Sequence, residues 1–150
     1  MAQQVADSVS NRGERWLVVG LVAYGLYHLA LGLLMVIAPG TFFAEIGPFG
    51  VQNDHYIRDT ATYNLAAAAV LFAAARLRSW RVPVLVFLLI QFAFHSINHL
   101  VDIDEATPES LGVADFVGLL AGTALLALLL LVARRSARTG SATSNEVAAS

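Results

Sequence analysis

Five polar side chains lie close together at the end of a long apolar run, in the segment QFAFHSINHLVDID (91–104). Imidazole, amide and carboxylate groups exchange hydrogen bonds, and histidine also transfers protons and binds metal ions. On a helix these side chains share one stripe about 100° wide: Gln91, His95, Asn98, His99 and Asp102. Because polar groups in an apolar helix are costly when they face lipid, this stripe is predicted to face the interior of a membrane protein.

Metal binding is one chemistry that this stripe suggests. His95 and His99 lie one helical turn apart, a spacing that suits a single metal ion. Asp102 follows on the same stripe and supplies an oxygen ligand in this hypothesis, with a divalent cation as the cofactor. The spacing is equally compatible with a small-ligand site, or with a hydrogen-bonded network that only holds helices together. All three interpretations stay open at this stage.

Other parts of the chain place matching groups at a similar depth. His28 and His95 lie about 18 and 20 Å along their helices from the arginine-flanked ends. Near the start of the second apolar segment, Asp59 shares a helix face with His55, while the adjacent Arg58 turns sideways. The predicted ligand-binding cluster therefore has seven members: His28, His55, Arg58, Asp59, Gln91, Asn98 and Asp102.

The amino-acid composition indicates that transmembrane helices position these residues. Apolar residues make up 57% of the chain, charged residues 13%, and the mean hydropathy is +0.66. Segments of about 20 residues match a bilayer core of roughly 30 Å, and the sequence contains four: 16–38, 56–75, 82–101 and 111–133. We therefore expect an all-α membrane protein, a bundle of four transmembrane helices in residues 16–133. A short cytoplasmic segment (1–15) and a disordered cytoplasmic tail (134–150) are predicted to flank it.

The arginines predict the orientation of these spans. Eight of the nine fall on one side of a four-span chain, and acidic residues flank the other: Glu45, Asp54, Asp102, Asp104, Glu105 and Glu109. Positive charge marks the cytoplasmic side. The sequence thus predicts a multi-pass protein of the bacterial cytoplasmic membrane with both termini inside and the polar cluster open to the outside. The first external loop, rich in phenylalanine, glycine and proline, is expected to fold over that opening.

Residue types limit the chemistry and the partners. The chain has no cysteine and no lysine, which excludes thiolate metal sites, cysteine nucleophiles and lysine Schiff bases. The expected partners are the lipid bilayer and either a small ligand or a partner membrane subunit, and not nucleic acid. A binding role is favoured over catalysis, although an enzymatic activity stays open. An accessory subunit whose polar cluster only holds the helices together is the main alternative.

Redox cofactors form a further alternative. Haem b bound by two histidines needs both at equal depth on facing helices, and His28 with His95 meets that condition. Against it, small residues opposite a porphyrin are few, since only Gly25 and Gly32 lie near His28. A quinone would use histidine with aspartate or arginine, which the outer cluster also supplies.

Two motifs carry a resemblance to a known group of proteins. The stretch NDHYIRDTATYNLAAA (53–68) resembles an Asn-x-His-x-x-Arg-Asp signature that opens the second span of small, largely actinobacterial four-span membrane proteins, which are distantly DoxX-like. The stretch HSINHL (95–100) is similar to the end of their third span. The resemblance covers most of residues 16–133 and maps onto six residues: Asn53, His55, Arg58, Asp59, His95 and His99. It implies a four-helix membrane fold with a polar site, and no established reaction.

Overall fold

The computed structural model describes the backbone of residues 2–148 and the side chains of residues 12–138. Within that part of the chain the backbone forms five α-helices and no strand. They are α1 (Ala2–Ile37), α2 (Pro39–Glu45), α3 (Asp54–Arg76), α4 (Arg78–Val101) and α5 (Glu109–Ala148). The expectation of an all-helical chain is confirmed. The disorder predicted for 134–150 falls mostly on residues whose side chains lie outside the described ones.

Three helical segments are long and apolar enough to cross a membrane: Arg12–Ile37, Arg78–Val101 and Glu109–Arg138. Their outward faces carry exposed large apolar side chains, such as Leu26, Phe94 and Leu128. Soluble proteins rarely expose wide apolar surface of this kind. The helices are therefore compatible with a membrane protein whose outer surface contacts lipid.

Each long helix packs against two others. Helix α1 lies mainly against α3, and α4 lies mainly against α5, while α3 with α4 and α1 with α5 join the two pairs. The chain runs back and forth, so eight of the nine arginines collect at one end, called here the arginine-rich end, and most carboxylates collect at the acidic end. The largest fully buried side chains lie in the arginine-rich half: Leu17, Leu21, Leu71, Leu85, Leu88 and Leu126.

An ion pair closes the arginine-rich end. Only Leu77 separates α3 from α4, and the side chain of Arg81, 8% exposed, reaches back across this link. Its Nη1 donates to Glu14 Oε1 at 2.6 Å, and its Nε donates to the carbonyl of Ala74 at 3.1 Å. Because Ala74 lies in the last turn of α3, the guanidinium also satisfies a free helix carbonyl. Helix α1, at Glu14, and the α3–α4 link are thereby held together.

The acidic end is closed by backbone contacts. Phe49, in the segment between α2 and α3, pairs as an isolated bridge with Ala106, in the link before α5. The amide of Thr107 donates to the carbonyl of Pro48 at 3.3 Å. The Phe49 ring also meets His99 edge-to-face, with ring centroids 4.9 Å apart. The first loop therefore contacts the end of α4, where the sequence predicts it to cover the opening.

Candidate functional site

The inward face of α4 changes from apolar to polar towards the acidic end. Leu88 and Phe92 are buried on this face, and His95 lies on the same face one turn beyond Phe92. The side chain of His95 is nevertheless exposed. Ser96, the next residue, is buried and lies 3.1 Å from Thr123 of α5, so His95 lies at the edge of the helix interface. Polar side chains with buried partnerless atoms lie on the facing helices. We refer to these side chains as the polar cluster: His28, Tyr63, Gln91, His95, His99 and Asp115.

His28 is the most deeply buried member of the cluster, with 2% of its surface exposed. Its Nδ1 lies 2.8 Å from Oδ1 of Asn64, which is itself buried between α1 and α3. The Asn64 amide nitrogen donates to the carbonyl of Thr60 at 3.1 Å, so its oxygen must face His28. An amide oxygen only accepts, so Nδ1 of His28 carries the proton. In the neutral imidazole, Nε2 is then left with a free lone pair.

Buried polar atoms without a partner mark this region of the molecule. Among the described side chains there are five: His28 Nε2, Tyr63 Oη, Gln91 Oε1, His99 Nδ1 and Asp115 Oδ2. They come from all four long helices. An unpaired buried polar atom costs about 1–3 kcal/mol. A group of them at one end of the protein is therefore unfavourable unless something else supplies the missing hydrogen bonds.

Aromatic rings connect these polar groups. The imidazole of His28 meets Tyr63 at a centroid distance of 6.2 Å and Phe92 at 5.8 Å, both edge-to-face. Phe92 packs against Gly122 of α5, where an added Cβ would come within 2.9 Å of the ring. The hydroxyl of Tyr24 donates to the Gly122 carbonyl at 2.6 Å. Phe92 thus separates the polar cluster from the aliphatic core.

The acidic end of the cluster joins three helices. Asp115 on α5 interacts electrostatically with His99 on α4 and with Tyr27 on α1. The rings of His95 and His99 are 4.6 Å apart and edge-to-face. The polar groups at this end of the cluster therefore belong to α1, α4 and α5.

Two cofactor hypotheses gain no geometric support. Within the described part of the chain, no group of three or more histidine, aspartate or glutamate side chains is placed to hold a metal ion. The proposed ligand set of His95, His99 and Asp102 thus remains a hypothesis, with Asp102 half-buried at the end of α4. For haem, the ring contacts of His28 are with Tyr27, Tyr63 and Phe92, and its pairing with His95 stays a hypothesis.

The start of α3 differs from the prediction. The expectation that Asp59 faces inward is wrong, because its side chain is 63% exposed and pairs with His55 at 3.5 Å. Arg58 is also exposed and pairs with Asp54 at 3.7 Å, not with Asp102 or Asp115. The reason is the rotation of α3, which turns Asn64 towards α1. Asp59 lies about 140° around the helix from Asn64 and therefore faces outward.

Of the seven residues in the predicted cluster, two lie in the observed one, His28 and Gln91. Asn98 is exposed two turns beyond Gln91 on α4, and the remaining four lie at the surface or at a helix end. Asn53, part of the resembling motif, caps α3 by accepting from the amides of His55 and Tyr56.

Asn64 was missed by the sequence analysis although the sequence contains a signal for it. It is the one strongly polar side chain between Tyr63 and Arg76. An amide in the middle of such an apolar helix faces the interior. Taking Asn64 as the inward marker of α3 would have placed both Asp59 and His55 outside.

Comparison of the chain with protein-family models, with curated proteins and with solved structures gives no match. The DoxX-like resemblance therefore stays a prediction.

We expect Asn64→Ala to destabilise the protein by about 1–3 kcal/mol, because His28 Nδ1 would lose its buried acceptor. The matched change Asp59→Asn, on the same helix but at the surface, should alter the free energy of unfolding by less than about 0.5 kcal/mol. Thermal unfolding of both variants in detergent measures the difference. Equal losses of stability would show that the His28–Asn64 pair contributes no more than a surface ion pair.

Proposed function

We propose that the chain is a multi-pass protein of the bacterial cytoplasmic membrane, with four spans and both termini in the cytoplasm. Its polar cluster then opens to the outside and binds a small hydrogen-bonding ligand. The single observation that carries the binding role is the group of five partnerless buried polar atoms on four helices.

The geometry of α3 supports a fourth span. Arg81 joins the start of α4 to Glu14 of α1 and to Ala74 near the end of α3. Helix α3 has 23 residues and packs mainly against α1, antiparallel to it. In our proposal α3 therefore crosses the bilayer together with α1 and α4. Its charges are confined to its first two turns and to Arg76, which leaves residues 60–75 free of formal charge.

The distribution of charge supports the orientation. In this arrangement the arginine-rich end lies in the cytoplasm, as positive charge in short loops favours. The acidic end, with Asp104 in an exposed position, then faces outward.

Because the chain contains no cysteine, single cysteines report the topology directly. A membrane-impermeant maleimide should label Asp104→Cys in intact cells and should label Ser79→Cys only after the membrane is opened. Both positions are exposed, so accessibility to the reagent depends on the side of the membrane. Labelling of Ser79→Cys in intact cells would overturn the orientation.

Whether a buried polar group has a hydrogen-bond partner distinguishes a ligand-binding site from a network that only holds helices together. Groups that hold helices together are satisfied in this protein: Ser96 and Thr123 lie 3.1 Å apart, and Tyr24 donates to Gly122 at 2.6 Å. Gln91 Oε1 and His28 Nε2 are equally out of contact with solvent, yet neither has a partner. Binding sites commonly keep such unfavourable groups at a cost in stability, because the bound ligand satisfies them.

We expect the near-isosteric change Gln91→Leu to raise the free energy of unfolding of the ligand-free protein by about 1 kcal/mol, because it removes a buried unpaired oxygen. Ser96→Ala, on the same helix, should lower it by about 0.6 kcal/mol, because it breaks an interhelical hydrogen bond. Unfolding by heat in detergent measures both changes. A loss of stability in Gln91→Leu as large as that in Ser96→Ala would favour the accessory subunit whose cluster only holds the helices together.

A further inference from the structure

The partnerless atoms of the polar cluster are mainly acceptors. His28 Nε2 accepts because its Nδ1 already donates to Asn64. Gln91 Oε1 is an amide oxygen and Asp115 Oδ2 belongs to a carboxylate. Neither oxygen type donates a hydrogen bond when the carboxyl group is ionised. A ligand that completes these three groups must therefore bring hydrogen-bond donors.

The three acceptors lie at different depths. Asp115 interacts with His99, near the acidic end, whereas Gln91 lies eight residues earlier on the same helix as His99. Eight residues correspond to about 12 Å along a helix axis. His28 lies deeper than His99 as well, against Phe92 and the aliphatic core. The complementary ligand is thus elongated, with donors at both ends.

The surroundings of His28, the deepest of these acceptors, are aromatic. The rings of Tyr27 and Tyr63 both meet the imidazole of His28, with centroids at 5.3 and 6.2 Å, and Phe92 meets it at 5.8 Å. Aromatic faces attract organic cations as well as apolar groups.

Charge at the opening favours the same class of ligand. The residues around the acidic end carry several carboxylates: Asp102, Asp104, Glu105 and Glu109. Such a surface raises the local concentration of cations and repels anions. An anionic ligand would also place its own acceptor oxygens against the acceptors of the cluster.

From these observations we infer that the ligand is a small organic amine in its ammonium form. The ammonium group binds at Asp115, an apolar or aromatic middle lies against the tyrosine and phenylalanine rings, and a hydroxyl or N–H at the far end donates to His28 Nε2. This inference rests on the proposed binding function and specifies its ligand class.

Four related molecules test it on the purified wild-type protein in detergent. Tyramine has an ammonium group, an aromatic ring and a phenolic donor. Phenethylamine lacks the phenol, 4-ethylphenol lacks the ammonium, and 3-(4-hydroxyphenyl)propionate carries a carboxylate in its place. We expect tyramine to bind most tightly by calorimetry and to raise Tm most. Removal of the ammonium group should weaken binding about tenfold or more, because hydrogen bonds to charged groups are the stronger ones, whereas removal of the phenol should weaken it about threefold to tenfold.

Matched variants identify the site of binding. Asp115→Asn should weaken tyramine binding about tenfold and leave 4-ethylphenol binding unchanged. His28→Phe should abolish the advantage of tyramine over phenethylamine. Asp59→Asn, which removes an exposed carboxylate at the same end, should change neither. If Asp115→Asn does not fold, the ranking of the four molecules on wild-type protein still decides the ligand class.

The outcomes separate the ligand class from the binding function. Tighter binding of the propionate or of 4-ethylphenol than of tyramine would overturn the amine assignment while supporting a ligand site. Tyramine binding that survives both Asp115→Asn and His28→Phe would overturn the assignment, because the amine would then bind elsewhere. No binding of any of the four, together with a stabilised Gln91→Leu variant, would also overturn the amine class and leave the binding function standing. Only a destabilised Gln91→Leu variant removes the binding function itself.

Discussion

The hydrogen bond from His28 Nδ1 to Asn64 Oδ1, 2.8 Å long and buried between α1 and α3, determines the chemistry of the polar cluster. Asn64 is oriented by its second bond, to the carbonyl of Thr60 in the preceding turn of its own helix. The orientation of one amide therefore determines which imidazole nitrogen carries the proton. A free lone pair on His28 Nε2 follows, and that lone pair faces a region in which other acceptors also lack partners.

The two halves of the protein stabilise it in different ways. In the arginine-rich half, aliphatic side chains such as Leu21, Leu71 and Leu88 are fully buried, and the Arg81–Glu14 pair joins three helices at their ends. In the acidic half, the interior carries imidazole, amide, phenol and carboxylate groups instead. Burial of aliphatic side chains in the arginine-rich half stabilises the fold. This stabilisation offsets the unfavourable free energy of the unpaired polar groups in the acidic half.

Much of the fold follows from the sequence by simple physical rules. Apolar runs of about 20 residues predicted the long helices. The ends of α3 lie within two residues of its run and the end of α4 coincides with its run, whereas α1 begins 14 residues before its run and α5 ends 15 residues after its run. The stripe on α4 was predicted from periodicity alone, and Gln91 and His99 do carry partnerless buried atoms.

The failures have a common cause. Periodicity along a single helix shows which residues share a face, but not which face turns towards the neighbouring helix. Asp59 was therefore grouped correctly with His55 and placed on the wrong side. Contacts between distant segments, such as Glu14 with Arg81 and Phe49 with His99, depend on how the helices are arranged in space. The arginine pattern predicted only an orientation in the membrane, whereas Arg81 in the structure joins helices through its bonds to Glu14 and Ala74.

The tautomer of His28 tests this account most directly. In ¹⁵N NMR spectra of histidine-labelled protein in detergent micelles, the His28 signals can be assigned by their loss in a His28→Gln variant, since the chain has only four histidines. We predict that Nδ1 carries the proton, that Nε2 is unprotonated, and that the Nε2 signal moves when tyramine is added. A proton on Nε2 with a bare Nδ1 would contradict the account, because His28 would then offer a donor to the polar cluster instead of an acceptor.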